Sequence, residues 1–172
     1  MNISELYKLY LEHPNICTDS RKLKRNSIFF ALKGKNFNGN NFAQSAIEKG
    51  CAFAIIDKEA FCKNDKVILV ENVLECLQKL AQYHREQLKI PIIGITGTNG
   101  KTTSKELINC VLSQNFNVTA TKDNLNNHIG VPLTLLGIKQ EDEIAIIEMG
   151  ANHKGEIAFL CTLAQPNFGI IT

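Results

Sequence analysis

The residues best placed to do chemistry are Gly94-Ile95-Thr96-Gly97-Thr98-Asn99-Gly100-Lys101-Thr102-Thr103. An apolar run from Ile90 to Ile95 leads into them, and a segment of helical periodicity follows. Strand, glycine-rich turn, helix is the order that a phosphate-binding loop requires. Gly97 and Gly100 leave the backbone free to wrap a polyphosphate with consecutive N–H groups pointing inward, and the helix that follows adds its positive end. Gly97, Thr98, Asn99, Gly100, Lys101, Thr102 and Thr103 are therefore the expected polyphosphate-binding turn. In this arrangement Lys101 reaches the β and γ phosphates and the Thr102 hydroxyl can ligate Mg²⁺. The loop is a variant, because the general pattern G-x-x-x-x-G-K-[ST] places glycine where this chain has Ile95. The blander alternative is a glycine-rich turn that happens to precede Lys-Thr-Thr, and the flanking strand and helix argue against it.

Other polar groups follow predicted strands, and in open parallel α/β sheets ligands sit at the carboxyl ends of strands. Asn124 to His128 follows a strand over 117–121, and Glu148 ends a strand over 144–148. A carboxylate at such a tip suits Mg²⁺, which takes oxygen ligands; the alternative is a plain surface acid. Lys101 and Glu148 are the candidate catalytic residues. His153 is expected just inside the next helix, either touching substrate or capping that helix. His128 is explained by local hydrogen bonding or by ligand contact, and His13 and His84 by packing. No Cys and His set has zinc spacing, and no Ser-His-Asp arrangement is legible.

The elements that must position these groups alternate. Helical spacing covers 3–12, stopped by Pro14, then 41–49, stopped by Gly50, and 72–89, where Val73, Leu74, Leu77, Leu80, Ala81 and His84 share a face. Strands are predicted over 27–32, 51–56 and 66–70, with a polar loop over 33–41. The second half continues with helix 102–114, strand 117–121, helix 132–136, strand 144–148, helix 151–164 and a strand over 166–172. Alternation of this kind means an α/β layer structure. The expected architecture is a small N-terminal α/β substrate domain, 1–88, followed by a mostly parallel P-loop ATPase domain, 89–172. An apolar strand of a parallel sheet needs a returning helix to cover it, and none follows 166–172, so the second domain is expected to be incomplete and the chain a piece of a longer polypeptide.

Composition narrows the function further. A formal charge of +2 with mixed signs gives no basic surface for nucleic acid or acidic membrane. No run approaches the roughly 20 apolar residues of a membrane span, and the N-terminus has no signal-peptide core. The six cysteines lack any C-x-x-C pair and mostly lie in apolar surroundings, which reads as buried free thiols in a reducing, cytoplasmic protein.

GITGTNGKTT (Gly94 to Thr103) resembles the ATP loop of the Mur ligases, the ATP-dependent amide ligases of peptidoglycan precursor synthesis, a loop that folylpolyglutamate synthases share. NLNNHIGVPLTLL (Asn124 to Leu136) and IEMGANHKGEI (Ile147 to Ile157) are similar to segments of the family member that joins D-alanyl-D-alanine to a UDP-N-acetylmuramoyl-tripeptide. TDSRKLKRNSIFFALKGKNFNGNNF (Thr18 to Phe42) resembles the segment with which that member and its tripeptide-forming relative hold UDP. The resemblance implies ATP and Mg²⁺ as cofactors, with Gly97 to Thr103 against the ATP phosphates and Thr102 and Glu148 as metal ligands. It implies Ser20, Arg21, Asn40 and Asn41 against the uridine diphosphate, and Asn126 and Asn127 between metal and substrate. Where the family often has histidine after the glycine of the N-terminal loop, Asn40 follows Gly39 here. The expected assembly is a monomer. The carbamylated lysine, the further histidine and the closing domain that the family uses would lie beyond Thr172, so the piece is expected to be inactive in ligation by itself and to bind ATP weakly. The competing readings are another Mur-type ligase or folylpolyglutamate synthase, and an ATP-binding P-loop module without ligase activity.

Overall fold

The computed structural model describes residues 1–172. They form two compact units, Met1–Leu80 and Ala81–Thr172.

In the first unit, α1 (Ile3–Glu12) opens on a reciprocal cap. The Asn2 side chain accepts the Glu5 N–H at 2.9 Å and the Glu5 carboxylate accepts the Asn2 N–H at 2.9 Å. The helix buries Leu6 and Tyr10, the apolar face that the spacing predicts. It is followed by β1 (Asn15–Cys17), β2 (Ser27–Phe30), the short hairpin of β3 (Lys33–Gly34) and β4 (Phe37–Asn38), a 3₁₀ turn over Gly39–Phe42, and α2 (Ala43–Glu48). After these come β5 (Phe53–Ile56), β6 (Val67–Leu69) and α3 (Val73–Gln87), inside which the division between the units falls. The sheet order is β1-β2-β5-β6, all parallel. Central β2 is buried along its whole length. Alternation sends Phe29, Ala54 and Ile56 into the cluster that holds Ala43 and Ala46 of α2, while Ile28, Phe30 and Ile55, also fully buried, point to the other face.

The predicted loop over 33–41 is more ordered than its polar composition indicates, because two contacts fold it back. The Gly39 N–H donates to the Leu32 carbonyl at 2.9 Å, and a Cβ on Gly39 would meet the Ala31 and Leu32 main chain. Asn40 is fully buried. Its amide donates to Asn38 Oδ1 at 2.8 Å and to Asp57 Oδ1 at 3.0 Å, and its oxygen accepts the Asp57 N–H at 3.1 Å. Lys33 pairs with the same Asp57 carboxylate at 2.7 Å. Burial alone would raise the Asp57 pKa, but the hydrogen bonds from Lys33 and Asn40 outweigh it and hold the carboxyl below its ordinary range.

The second unit begins within α3 and continues with β7 (Ile92–Thr96), α4 (Lys101–Leu112), β8 (Val118–Ala120), α5 (Gly130–Leu135), β9 (Ile144–Glu148), α6 (Glu156–Ala164) and β10 (Phe168–Ile171). Its sheet runs β10-β7-β9-β8, again all parallel. The chain moves from β7 past β9 to β8, then crosses to the other side of β7 for β10. Right-handed crossovers therefore put α4 on one face and α5 and α6 on the other, and the loop leaving β7 stands where the winding reverses. Arg85 of α3 ties this unit to the end of α6, donating through Nε to the Ala164 carbonyl and through Nη2 to the Gln165 carbonyl, each at 3.0 Å. A guanidinium there answers the carbonyls that a helix C-terminus leaves unpaired.

Two further sequence expectations change. The helix predicted from Ala151 begins only at Glu156, because Gly155 adopts φ +92 and the Glu156 carboxylate instead accepts the N–H groups of Asn152 and His153. The thiols are all free, but only Cys17 and Cys51 are buried, and Cys62 and Cys110 are exposed. Burial pushes the Cys76 thiol up to about 11.

His84 is buried, with Nε2 3.1 Å from the Ile138 carbonyl. A carbonyl only accepts, so this nitrogen carries the proton in the neutral ring. Burial lowers the His84 pKa, more than the bond to Ile138 raises it. Above pH ~6.5 the imidazole is neutral whether the chain is folded or unfolded; below it the unfolded chain takes up the proton first, so stability falls with pH down to the folded value. Thermal midpoints at pH 7.5 and 5.5 should separate more in the unchanged chain than in His84→Gln, whose amide can keep the bond to Ile138.

Candidate functional site

The site is built at the carboxyl end of the second sheet. Gly97 (φ +144) and Gly100 (φ +80) take conformations that L side chains rarely adopt, which is how the chain turns out of β7 and directly into α4. A Cβ on Gly97 would also run into the main chain of Thr172, which follows β10 and donates its N–H to the Thr96 carbonyl at 2.9 Å. No side chain caps α4, so its first-turn N–H groups face the concave side of the loop. Lys101 Nζ lies over the same loop, 2.6 Å from the Gly97 carbonyl.

Three side chains then meet. The Thr102 hydroxyl donates to Glu148 Oε2 at 3.0 Å, and Asn126 Nδ2 donates to Glu148 Oε1 at 2.9 Å. Glu148 is only 2% exposed, so both carboxylate oxygens need these donors. β7 and β9 pair directly, with Ile95 opposite Glu148, and this register brings the strand-tip acid beside the start of α4. Asn126 is fixed in turn: its carbonyl accepts the Gly150 N–H at 2.8 Å, and a Cβ on Gly150 would stand 3.2 Å from the Asn126 side chain. Oxygens bound cis on one Mg²⁺ at 2.0–2.1 Å stand about 2.9 Å apart. The Thr102 and Glu148 oxygens thus have both the chemistry and the spacing to hold that ion.

Asn127 has a different task, since its side-chain oxygen accepts the N–H groups of Ile129 and Gly130 at 3.0 and 2.9 Å and so starts α5. Beside the loop lies a cleft of about 880 Å³ whose walls include Lys101, Asn126, His128, His153 and Phe159. His153 is exposed on the segment before α6, its ring 3.3 Å from Glu156.

In the first unit, Ser20, Arg21 and Asn41 stand on segments that leave the carboxyl ends of the adjacent strands β1 and β2. Arg21 makes a two-pronged contact with Asp19, Nε to Oδ1 at 2.9 Å and Nη2 to Oδ2 at 2.8 Å. The guanidinium beside it holds the Asp19 carboxyl far below the usual range. Ser20 and Asn40 are the buried members of the four, at 9% and 0% exposure; the Asn40 amide is committed to Asn38 and Asp57, so it can shape the loop.

Lys105 and Thr121, neither of them among the residues expected from the sequence, also enter this region. Lys105 lies one turn beyond Lys101 on the face of α4 turned to the sheet, a spacing of four that could have singled it out.

A profile of the Mur ligase family catalytic domain matches residues 13–93, and one of the Mur ligase middle domain matches 95–172. The chain belongs to the Mur ligase family. The UDP-N-acetylmuramoyl-tripeptide--D-alanyl-D-alanine ligase of Bacillus subtilis (strain 168) is 41% identical over 181 residues, covering 99% of this chain and 40% of the relative. The enzyme of the same name from Synechocystis sp. is 44% identical over 160 residues, covering 92% and 35%. Among solved structures, MurF from Acinetobacter baumannii superposes with a TM-score of 0.83 at 36% identity, covering 91% of this chain and 34% of that one. MurF ligase from Thermotoga maritima in complex with ADP gives 0.81 at 33%, covering 91% and 36%. The chain therefore spans well under half the length of these Mur ligases.

Replacing Asn126 with Ala removes the donor to a buried Glu148 oxygen. The loss of stability should be about 1 to 3 kcal/mol, read as a lower denaturation midpoint with an unchanged denaturant slope.

Proposed function

We propose that this chain is the nucleotide-binding and UDP-binding portion of a ligase that joins D-alanyl-D-alanine to UDP-N-acetylmuramoyl-tripeptide with ATP, in peptidoglycan precursor synthesis in the cytoplasm. The observation that carries the reading is the Thr102–Glu148–Asn126 constellation beside a phosphate loop, in a chain aligned over 99% of its length with a ligase of that name. In this reaction the terminal peptide carboxylate takes the γ-phosphoryl group of ATP. The amine of D-alanyl-D-alanine then displaces phosphate from the acyl phosphate, leaving the amide, ADP and inorganic phosphate.

The residues divide that work physically. The amides of Gly97 to Thr103 and the end of α4 hold the phosphates, and Lys101, freed from the Gly97 carbonyl, balances the charge of the group in transfer. Thr102 and Glu148 hold Mg²⁺, which when bound neutralises phosphate charge. Asn126 keeps the Glu148 carboxylate turned toward Thr102. The cleft beyond Lys101 receives the reacting end of the peptide, and its wall of amide, imidazole and ammonium groups suits a carboxylate. The substrate domain, which we assign to residues 1–88, grips the UDP end through Ser20, Arg21 and Asn41, on a loop that Asn40 holds in shape.

The test uses the polypeptide at the full length of its relatives. Phosphate release should require UDP-N-acetylmuramoyl-tripeptide together with D-alanyl-D-alanine. Release with a single amino acid and the shorter UDP-linked peptide, and none with the dipeptide, would move the assignment to the tripeptide-forming relative. Lys101→Ala should lower turnover by at least about a hundredfold while leaving the thermal midpoint close to its starting value.

A further inference from the structure

Thr121 follows the last residue of β8, at the rung where that strand leaves the sheet. Its N–H still donates to the Ile146 carbonyl at 2.9 Å, as a parallel ladder requires. In a regular ladder its carbonyl would next accept the Glu148 N–H. Instead, the Thr121 hydroxyl accepts that N–H at 2.9 Å. The displaced carbonyl is taken by Lys105 Nζ at 2.6 Å. Lys105 is 2% exposed, and its ammonium also pairs with Glu106 at 2.8 Å.

A buried ammonium is costly unless paired, and a strand tip can end on main-chain bonds alone. This substitution of side chain for main chain joins three elements at one residue. Lys105 belongs to the helix that carries Thr102, Thr121 opens the turn that carries Asn126, and the N–H held by Thr121 is that of Glu148 itself.

We propose that Lys105 and Thr121 are positioning residues for the Thr102–Glu148 pair, setting the separation at which the hydroxyl and the carboxylate hold Mg²⁺. Neither side chain is among the ligands. The proposal rests on the reading of the site given under Proposed function. Replacing Thr121 by Val removes the acceptor for the Glu148 N–H while the isosteric side chain keeps the packing. Replacing Lys105 by Met keeps the stem and removes the group that holds the Thr121 carbonyl. Either change lets the strand tip relax toward the regular ladder and shifts Glu148 relative to Thr102.

The experiment measures ADP affinity in EDTA, Mn²⁺ affinity of the ADP-loaded protein, and the thermal midpoint, in the full-length polypeptide. Thr121→Val and Lys105→Met should weaken Mn²⁺ binding by about tenfold or more and leave ADP affinity in EDTA within about twofold, since the Gly97–Thr103 amides and Lys101 are untouched. Thr121→Ser, which restores the hydroxyl, should recover the Mn²⁺ affinity. Unchanged Mn²⁺ affinity with a lowered midpoint would overturn the proposal and leave a purely structural role; equal losses of ADP and Mn²⁺ binding would overturn it too. If Lys105→Met does not fold, the Thr121 pair decides. Failure of the unsubstituted protein to bind Mn²⁺ with ADP would instead sink the reading of the site, a result distinct from any of these.

Discussion

One carboxylate organises the second unit. Glu148 is buried at the end of β9, and a buried charge persists only when its oxygens are met by donors. Thr102 meets one oxygen and Asn126 the other. The first donor stands at the start of α4 and the second in the turn after β8, so satisfying the acid fixes where the glycine-rich loop lies relative to the neighbouring strand. The main-chain N–H of the same residue is bound by the Thr121 hydroxyl, so Glu148 ties β9 to the start of α4 and, twice, to the turn after β8.

The topology makes that convergence unavoidable. Parallel pairing sets Ile95 opposite Glu148, and all four strands of the sheet end on the same side. The winding reverses at β7, which opens space for a ligand at that strand's exit. Gly97 and Gly100 let the chain use the space by bending sharply without a side chain in the way. The first unit follows the same rule with a different outcome. Its parallel strands end in segments that carry Ser20, Arg21 and Asn41, but the loop is shaped by an interior network of Asn40, Asp57 and Lys33.

The Mur ligase profiles and the relatives agree with this arrangement of two consecutive α/β units. The Arg85 contacts show how the second is held at its rear, where a guanidinium closes the carbonyl end of α6. In both units, buried charged or amide side chains complete helix or strand ends that main-chain bonds leave open.

Most of the order of strands and helices, the glycine-rich turn after β7 and Glu148 as a strand-tip acid were legible in the sequence, because apolar periodicity and a glycine-rich turn before Lys-Thr are local signals, whereas the three-residue β1 is too short to leave one. So was the resemblance that names the family. Periodicity failed where side-chain bonds to the main chain or to a distant segment decided the outcome. The 33–41 segment reads as polar loop but is held to the end of β2 through Gly39 and to the end of β5 through Asn40, and the helix predicted from Ala151 waits for Glu156 because that carboxylate binds the preceding N–H groups. Asn40 and Asn41 are neighbours of one type in the sequence, yet one is sealed inside and the other exposed. Asn126 and Asn127 likewise divide, one binding Glu148 and the other starting a helix. Only the tertiary structure could separate these pairs, or find Lys105 and Thr121, since hydrogen-bond partners sixteen to twenty-seven residues away leave no periodic trace in the chain.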